Sequence, residues 1–204
     1  MSLRQSSNPY GYRDLLVYKK AEELQRACAE FTARFSHPSH FTLSSLADQM
    51  DRSARSVKQN IVEGWKRNST KEYYDFLGFS IGANAELEED CNDIIKGIYK
   101  MGGRGIKGEM GIEEVESLRF HPLDPNLPPL VQLKLRCKEM NFLFAKLQSS
   151  LAEKMHEDKT LSGKDMALAA NRSRQSEDTW YQNELVSQGF VRLRNGQIVP
   201  KDEV

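Results

Sequence analysis

The chain has no long hydrophobic run, no excess of either charge and very little cysteine, and each shortage removes a class of function. No stretch approaches the ~18 uninterrupted apolar residues of a membrane span, and the opening M-S-L-R-Q-S-S-N-P-Y lacks the apolar core of a signal peptide. A cytoplasmic protein with no membrane partner is the expectation. Only Cys28, Cys91 and Cys137 occur in 204 residues; an odd, scattered set makes no disulfide framework, and each lies among apolar residues at helical spacing, as reduced core thiols do. The 29 acidic and 29 basic residues cancel, so net charge selects no partner.

Catalytic patterns are equally scarce. There is no G-x-S-x-G elbow, and core cysteines cannot serve as nucleophiles. A metal-oxygen site in a helical bundle needs repeated Glu-x-x-His motifs, whereas Glu153 and His156 stand alone near a helix end. His37 and His40 bracket Pro38 without the further ligands of a zinc site. The glycines of G-G-R-G-I-K-G-E-M-G, residues 102 to 111, have no preceding strand and no Lys-Ser or Lys-Thr with which to cradle phosphate. Glu86, Glu88, Glu89 and Asp90 read as a solvated helix face, not as a buried acid pair. The expectation is a non-enzyme with no metal and no cofactor.

What the chain does contain is four stretches of helical periodicity. Val17, Ala21, Leu24, Cys28, Phe31 and Phe35 alternate spacings of four and three, the seam that packed helices bury. Leu43, Leu46, Met50, Ala54, Val57, Ile61 and Trp65 form a second seam, and Leu77, Asn84, Leu87, Cys91, Ile94 and Ile98 a third. The fourth, Leu130, Leu133, Cys137, Met140, Phe144, Leu147 and Leu151, follows Pro128 and Pro129, where a missing N–H does no harm. Gly78 and Gly82 inside the third helix each cost about 1 kcal/mol relative to alanine, which close approach by another helix, of this chain or of another subunit, would offset.

Between the second and third seams stands E-G-W-K-R-N-S-T-K-E. Gly64 relaxes the end of one helix, Asn68 tolerates the left-handed region, and Ser69 with Glu72 forms a capping box that starts the next. The pattern predicts an all-α protein, an antiparallel up-and-down four-helix bundle spanning 12–158, with helices about 14–36, 43–67, 70–101 and 129–157. An N-terminal arm, 1–11, precedes it. A long flexible crossover lies before helix 4, and an extension, 159–204, follows, with a β-hairpin at 189–200 around Asn195-Gly196, a strong turn signal.

Charge is uneven along the chain. Arg52, Arg55, Lys58, Lys66, Arg67 and Lys71 face Glu63 alone over residues 52–71, while Glu86, Glu88, Glu89, Asp90 and Asp93 cluster without a base. The six cations are the candidate nucleic-acid-binding residues, since phosphate attraction is sequence-independent and multiplied by oligomer symmetry. The alternative is a protein-interaction scaffold in which this basic set meets the acidic one of a neighbouring subunit.

The segments Y-R-D-L-L-V-Y-K-K-A, with Tyr12, Arg13 and Asp14, and S-V-K-Q-N-I-V-E-G, with Asn60, Glu63 and Gly64, resemble the four-helix-bundle family of the 23S ribosomal RNA intervening sequences. Lys71, Glu72, Phe76, Leu77, Gly82, Glu86 and Leu87 extend the resemblance, whereas Val62 and Ala83 depart from it. It implies a homo-oligomer, a pentamer by the usual count. It is also similar in fold to the accessory variability determinants of diversity-generating retroelements, which implies RNA or DNA and a reverse transcriptase as partners. Apart from any resemblance, Asn60 and Glu63 are placed to satisfy backbone groups at the corner.

Overall fold

A computed structural model describes residues 10–35, 41–67, 69–99, 110–160, 175, 179, 181–183, 185–187, 189–193 and 197–203. The described chain is mostly helical: α1 (Leu16–Thr32), α2 (Phe41–Trp65), α3 (Thr70–Ile95), the short α4 (Ile112–Ser117) and α5 (Pro129–Thr160), then strands β1 (Phe190–Arg192) and β2 (Ile198–Pro200). A 3-10 turn over Gly11–Asp14 precedes α1, and extended Leu15 separates the two.

The seams read from the sequence are buried together. Leu24, Cys28, Ala54, Val57, Ile61, Leu77, Leu87, Cys91, Leu133 and Cys137 have no exposed surface, and each buried leucine or isoleucine contributes about 1.5–3 kcal/mol. Polar contacts give the helix directions. Thr32 meets Asp51 at 2.9 Å and Glu22 meets Lys58 at 3.9 Å, so α1 and α2 run oppositely. Gln49 to Asp90, Ser53 to Glu86 and Ser80 to the Val57 carbonyl order α2 against α3 in the same sense. Asn84 donates to the Cys137 carbonyl at 3.0 Å and to Asn141 at 2.7 Å, tying α3 to α5. Lys20 and Glu139, at 3.4 Å, join α1 to α5. A buried side chain that bonds a neighbouring helix fixes register, because a slip strands it in the core.

The third helix ends at Ile95, short of the expected 101. Gly97 takes φ +76°, the Gly97 N–H donates to the Ile94 carbonyl at 3.0 Å and the Ile98 N–H to the Asp93 carbonyl at 2.9 Å. This paired closure is a Schellman cap, which only a residue tolerant of the left-handed region completes cheaply. The stop comes from Gly97, ahead of the glycine pair at 102 and 103.

The crossover departs from the flexible connection expected of it. Its glycine-dense part, 100–109, lies outside the described residues, but 110–128 has a core of its own. Val115 of α4 packs with Val131 and Leu135 of α5, flanked by Leu118, Phe120, Leu123 and Leu127. The first half of α5 is therefore covered on two sides: Leu130, Leu133 and Cys137 face the main core, Val131 and Leu135 the smaller one. Lys134, 1% exposed, sits at the junction, where its ammonium donates to the Asn92 side chain and lies 3.4 Å from Glu116. A buried ammonium is tolerated only with such partners.

β1 and β2 pair antiparallel, Val191 opposite Val199, matching the hairpin read from the sequence; Asn195 and Gly196 at its turn lie outside the described residues. Phe190 and Ile198 are exposed, at 41% and 46%.

Candidate nucleic-acid interface

Five of the six candidate cations, Arg52, Arg55, Lys66, Arg67 and Lys71, are exposed; Lys58 is half-buried against Glu22. At 100° per residue Arg52, Arg55 and Lys66 share a stripe about 60° wide and roughly 21 Å long on α2. Two of the set have local acids: Arg52 pairs with Asp48 at 2.6 Å and Lys71 with Asp75 at 2.6 Å. The Asp75 hydrogen bond raises the Lys71 ammonium above its ordinary value. Exposed pairs of this sort contribute about 0–1 kcal/mol and open readily to a phosphate.

The densest arrangement is at the α2–α3 corner, where the structure brings together segments far apart in sequence. The Lys66 ammonium lies 4.6 Å from the centre of the Tyr10 ring and 5.8 Å from that of Tyr12, and the Arg13 guanidinium 4.9 Å and 5.8 Å from the same two rings. Arg67 sits 4.1 Å over Phe76, which meets Phe79 edge-on at 5.6 Å. Tyr10 is 48% and Phe79 61% exposed. Aromatic faces partnered by cations and open to solvent attract phosphate and offer stacking surface at the same place. Tyr12 is buried and packs edge-on to Tyr18 at 5.0 Å; Asp14 is exposed in the same turn. Tyr10 and Phe79 were missed in the sequence because single exposed aromatics carry no periodic signal.

Gly64 builds the corner, for a reason other than flexibility. It is helical, and a Cβ there would lie 2.5 Å from Tyr73 Cδ2 and 3.0 Å from Phe76 Cβ. The glycine lets α3 cross close to α2 and carries Tyr73 against Trp65, edge-on at 6.2 Å. Ser69 caps α3 as expected, accepting from the Glu72 N–H at 3.1 Å and donating to its carboxylate at 3.0 Å; Asn68 lies outside the described residues. Backbone bonds, Lys66 N–H to Val62 O and Arg67 N–H to Gly64 O, both 3.1 Å, close the end of α2. Among the described residues no hydrogen bond is made by the Asn60 or Glu63 side chains.

Gly78 and Gly82 meet no neighbouring helix among the described residues. They lie on the exposed face of α3, and among the described residues nothing stands within 4 Å of a Cβ built at either.

The acidic group is less of a wet face than the sequence suggests. Asp90 is 8% exposed, one carboxylate oxygen has no hydrogen-bond partner among the described residues, and burial, aided by Asp93 and Glu86, pushes its pKa up to about 6. Glu88 accepts from Asn141 at 2.7 Å and Glu89 from Asn92 at 3.0 Å. Glu86 lines an open polar groove of about 420 Å³ together with Arg52, Gln49 and Ser53, so the start of the acidic run already neighbours the basic stripe within one chain.

Cys28, Cys91 and Cys137 are buried and free. Burial raises the Cys28 thiol, and a hydrogen bond to Cys137 raises that of Cys91, as suits unreactive core groups. Among the described residues no three of His, Cys, Asp and Glu are grouped to hold a metal, and no helix is long and apolar enough to cross a membrane. Glu153 and His156 are both exposed on α5, and His37 and His40 lie outside the described residues.

No curated protein and no solved structure matches the chain. The family model described as 23S rRNA-intervening sequence protein does match, over residues 13–96, which takes in α1, α2, α3 and the corner between them. Through this segment the chain is similar to the 23S rRNA-intervening sequence protein family.

Proposed function

We propose that α1, α2, α3 and α5 form an antiparallel four-helix bundle acting as a non-catalytic nucleic-acid-binding module, accessory to a nucleic-acid-processing protein such as a reverse transcriptase. The corner supports this reading: Tyr10, Arg13, Lys66, Arg67, Phe76 and Phe79 place cations beside exposed rings. Such a surface suits single-stranded segments, whose unstacked bases can lie on aromatic faces while the backbone meets the cations. Arg52, Arg55 and Lys71 extend it along α2 and α3, whereas Lys58 belongs to the α1 contact. The test is fluorescence anisotropy with a single-stranded RNA oligonucleotide over a salt series. Lys66→Glu with Arg67→Glu should weaken binding at least tenfold and flatten the salt slope, and Tyr10→Ala should cost about 1–3 kcal/mol at constant salt. Unchanged affinity in the double variant would rule the reading out.

The scaffold alternative is favoured by the open face of Gly78, Gly82 and exposed Phe79 on α3. A second copy seated there would give a homo-oligomer, a pentamer on the family resemblance, with close helix approach offsetting the glycines. Light scattering separates the two readings: a pure scaffold changes mass with salt and ignores the oligonucleotide.

A further inference from the structure

A second surface, away from the corner, lies between the start of α1, the middle of α5 and the segment after α4. It is a groove of about 610 Å³ with Leu16, Phe120 and Phe142 on its floor and Lys20, Arg119 and Lys138 around it. Leu16 is 57% and Phe142 46% exposed, and Phe142 touches Phe120 with ring centres 5.7 Å apart. The charge is lopsided. Glu139, an acid of the lining, is paired with Lys20 at 3.4 Å, and Lys20 also with Glu23 at 3.0 Å, so the rim's excess charge is that of Arg119 and Lys138. Lys138 is held by the uncharged carbonyls of Glu116 and Leu118, which leave its charge intact. Lys146 adds a further cation 4.4 Å over the Phe142 ring. An apolar floor under a positive rim calls for an occupant that is apolar and acidic together.

The chain carries such a stretch. Residues 175–187, Q-S-E-D-T-W-Y-Q-N-E-L-V-S, hold Glu177, Asp178 and Glu184 with no base, beside Trp180, Tyr181, Leu185 and Val186. Its described positions include helical ones, and Tyr181 and Val186 are 39% and 48% exposed. Reach is sufficient: at about 1.5 Å per helical residue Thr160 lies roughly 27 Å beyond Phe142 along α5, and at about 3.3 Å per residue the connection 161–174 spans up to roughly 45 Å.

We propose that residues 175–187 dock in this groove of their own chain, apolar side chains on the Leu16–Phe142 floor and carboxylates toward Arg119 and Lys138, making the extension a detachable strap. The test uses the full chain with Trp65→Phe, which leaves Trp180 as its one tryptophan. Docking predicts Trp180 emission to the blue of the urea-unfolded chain, moving to the unfolded position on Phe142→Asp and part of the way on Arg119→Glu, with the far-ultraviolet helical signal retained. Arg119→Glu changes an exposed residue and so serves if the Phe142 variant fails to fold. Hydrated emission in the parent, or emission indifferent to both changes, overturns the proposal. A blue shift that appears only as protein concentration rises also overturns it, in favour of docking on a second copy.

Discussion

Between α2 and α3 the chain reverses within residues 66–69, whereas between α3 and α5 it runs from 96 to 128. The short corner is held by contacts that follow directly from neighbouring residues: the Gly64 approach, the Ser69 cap and the Trp65–Tyr73 contact. The long connection is held instead by partners distant in sequence, Val115 on Val131 and Leu135, and Lys134 on Asn92 and Glu116. Closing a longer loop costs little more entropy than closing a short one. Ordering its residues costs more, and a second small core with a buried ammonium offsets that cost here.

The largest effect should come from the long connection. Lys134→Ala leaves the Asn92 carbonyl oxygen buried without its donor and removes the packed stem; urea unfolding should show a loss of about 3 kcal/mol. Lys134→Met, which keeps the stem, should lose much less, because apolar replacements of buried charges are often close to neutral. Equal losses in the two variants would mean that the ammonium contacts, not the stem, set stability, and would undo the packing half of the comparison.

A smaller loss is expected at the short corner. Gly64→Ala gains about 1 kcal/mol of helix propensity but drives a methyl into Tyr73, and overpacking costs about 1–3 kcal/mol. A net loss of about 1 kcal/mol, recovered when Tyr73 is also reduced to leucine, would locate the strain in that contact. A stabilised Gly64→Ala would show that the glycine is there for backbone freedom after all.

The mildest change concerns Asp90, near the end of α3 where the long connection begins. Its folded pKa of about 6 exceeds the ordinary 3.8, so the folded protein favours the protonated form. The contribution is full below about 4 and is lost as pH rises through 6. Asp90→Asn should therefore raise the melting temperature at pH 8 and leave it nearly unchanged near pH 4. A pH profile identical to that of the parent would mean the carboxylate is hydrated despite its burial.

Much of the helical layout was legible because it is periodic. The seams of Val17 to Phe31, Met50 to Ile61 and Leu130 to Leu151 are buried in α1, α2 and α5, Leu147 only in part, and Ser69 is the cap its sequence announces. The stop at Gly97 was missed because a lone glycine becomes a cap only when the following N–H groups fold back onto the last turn. Lys134 was missed because nothing in a sequence marks a lysine as buried. At the candidate interface the bases were legible, and their aromatic partners Tyr10 and Phe76 were not, since cation and ring come from different segments.

The sequence by itself determined the helices, their apolar faces, the capped corner and the location of one basic stretch, since these depend on residues within a few turns of one another. Only the tertiary structure decided that Tyr10 and Arg13 join Lys66, that Gly64 is needed for space, that Asp90 and Lys134 are buried, and that 110–128 has its own core. Each of those depends on which side chains meet across helices, and contact between segments is settled by packing the whole chain at once.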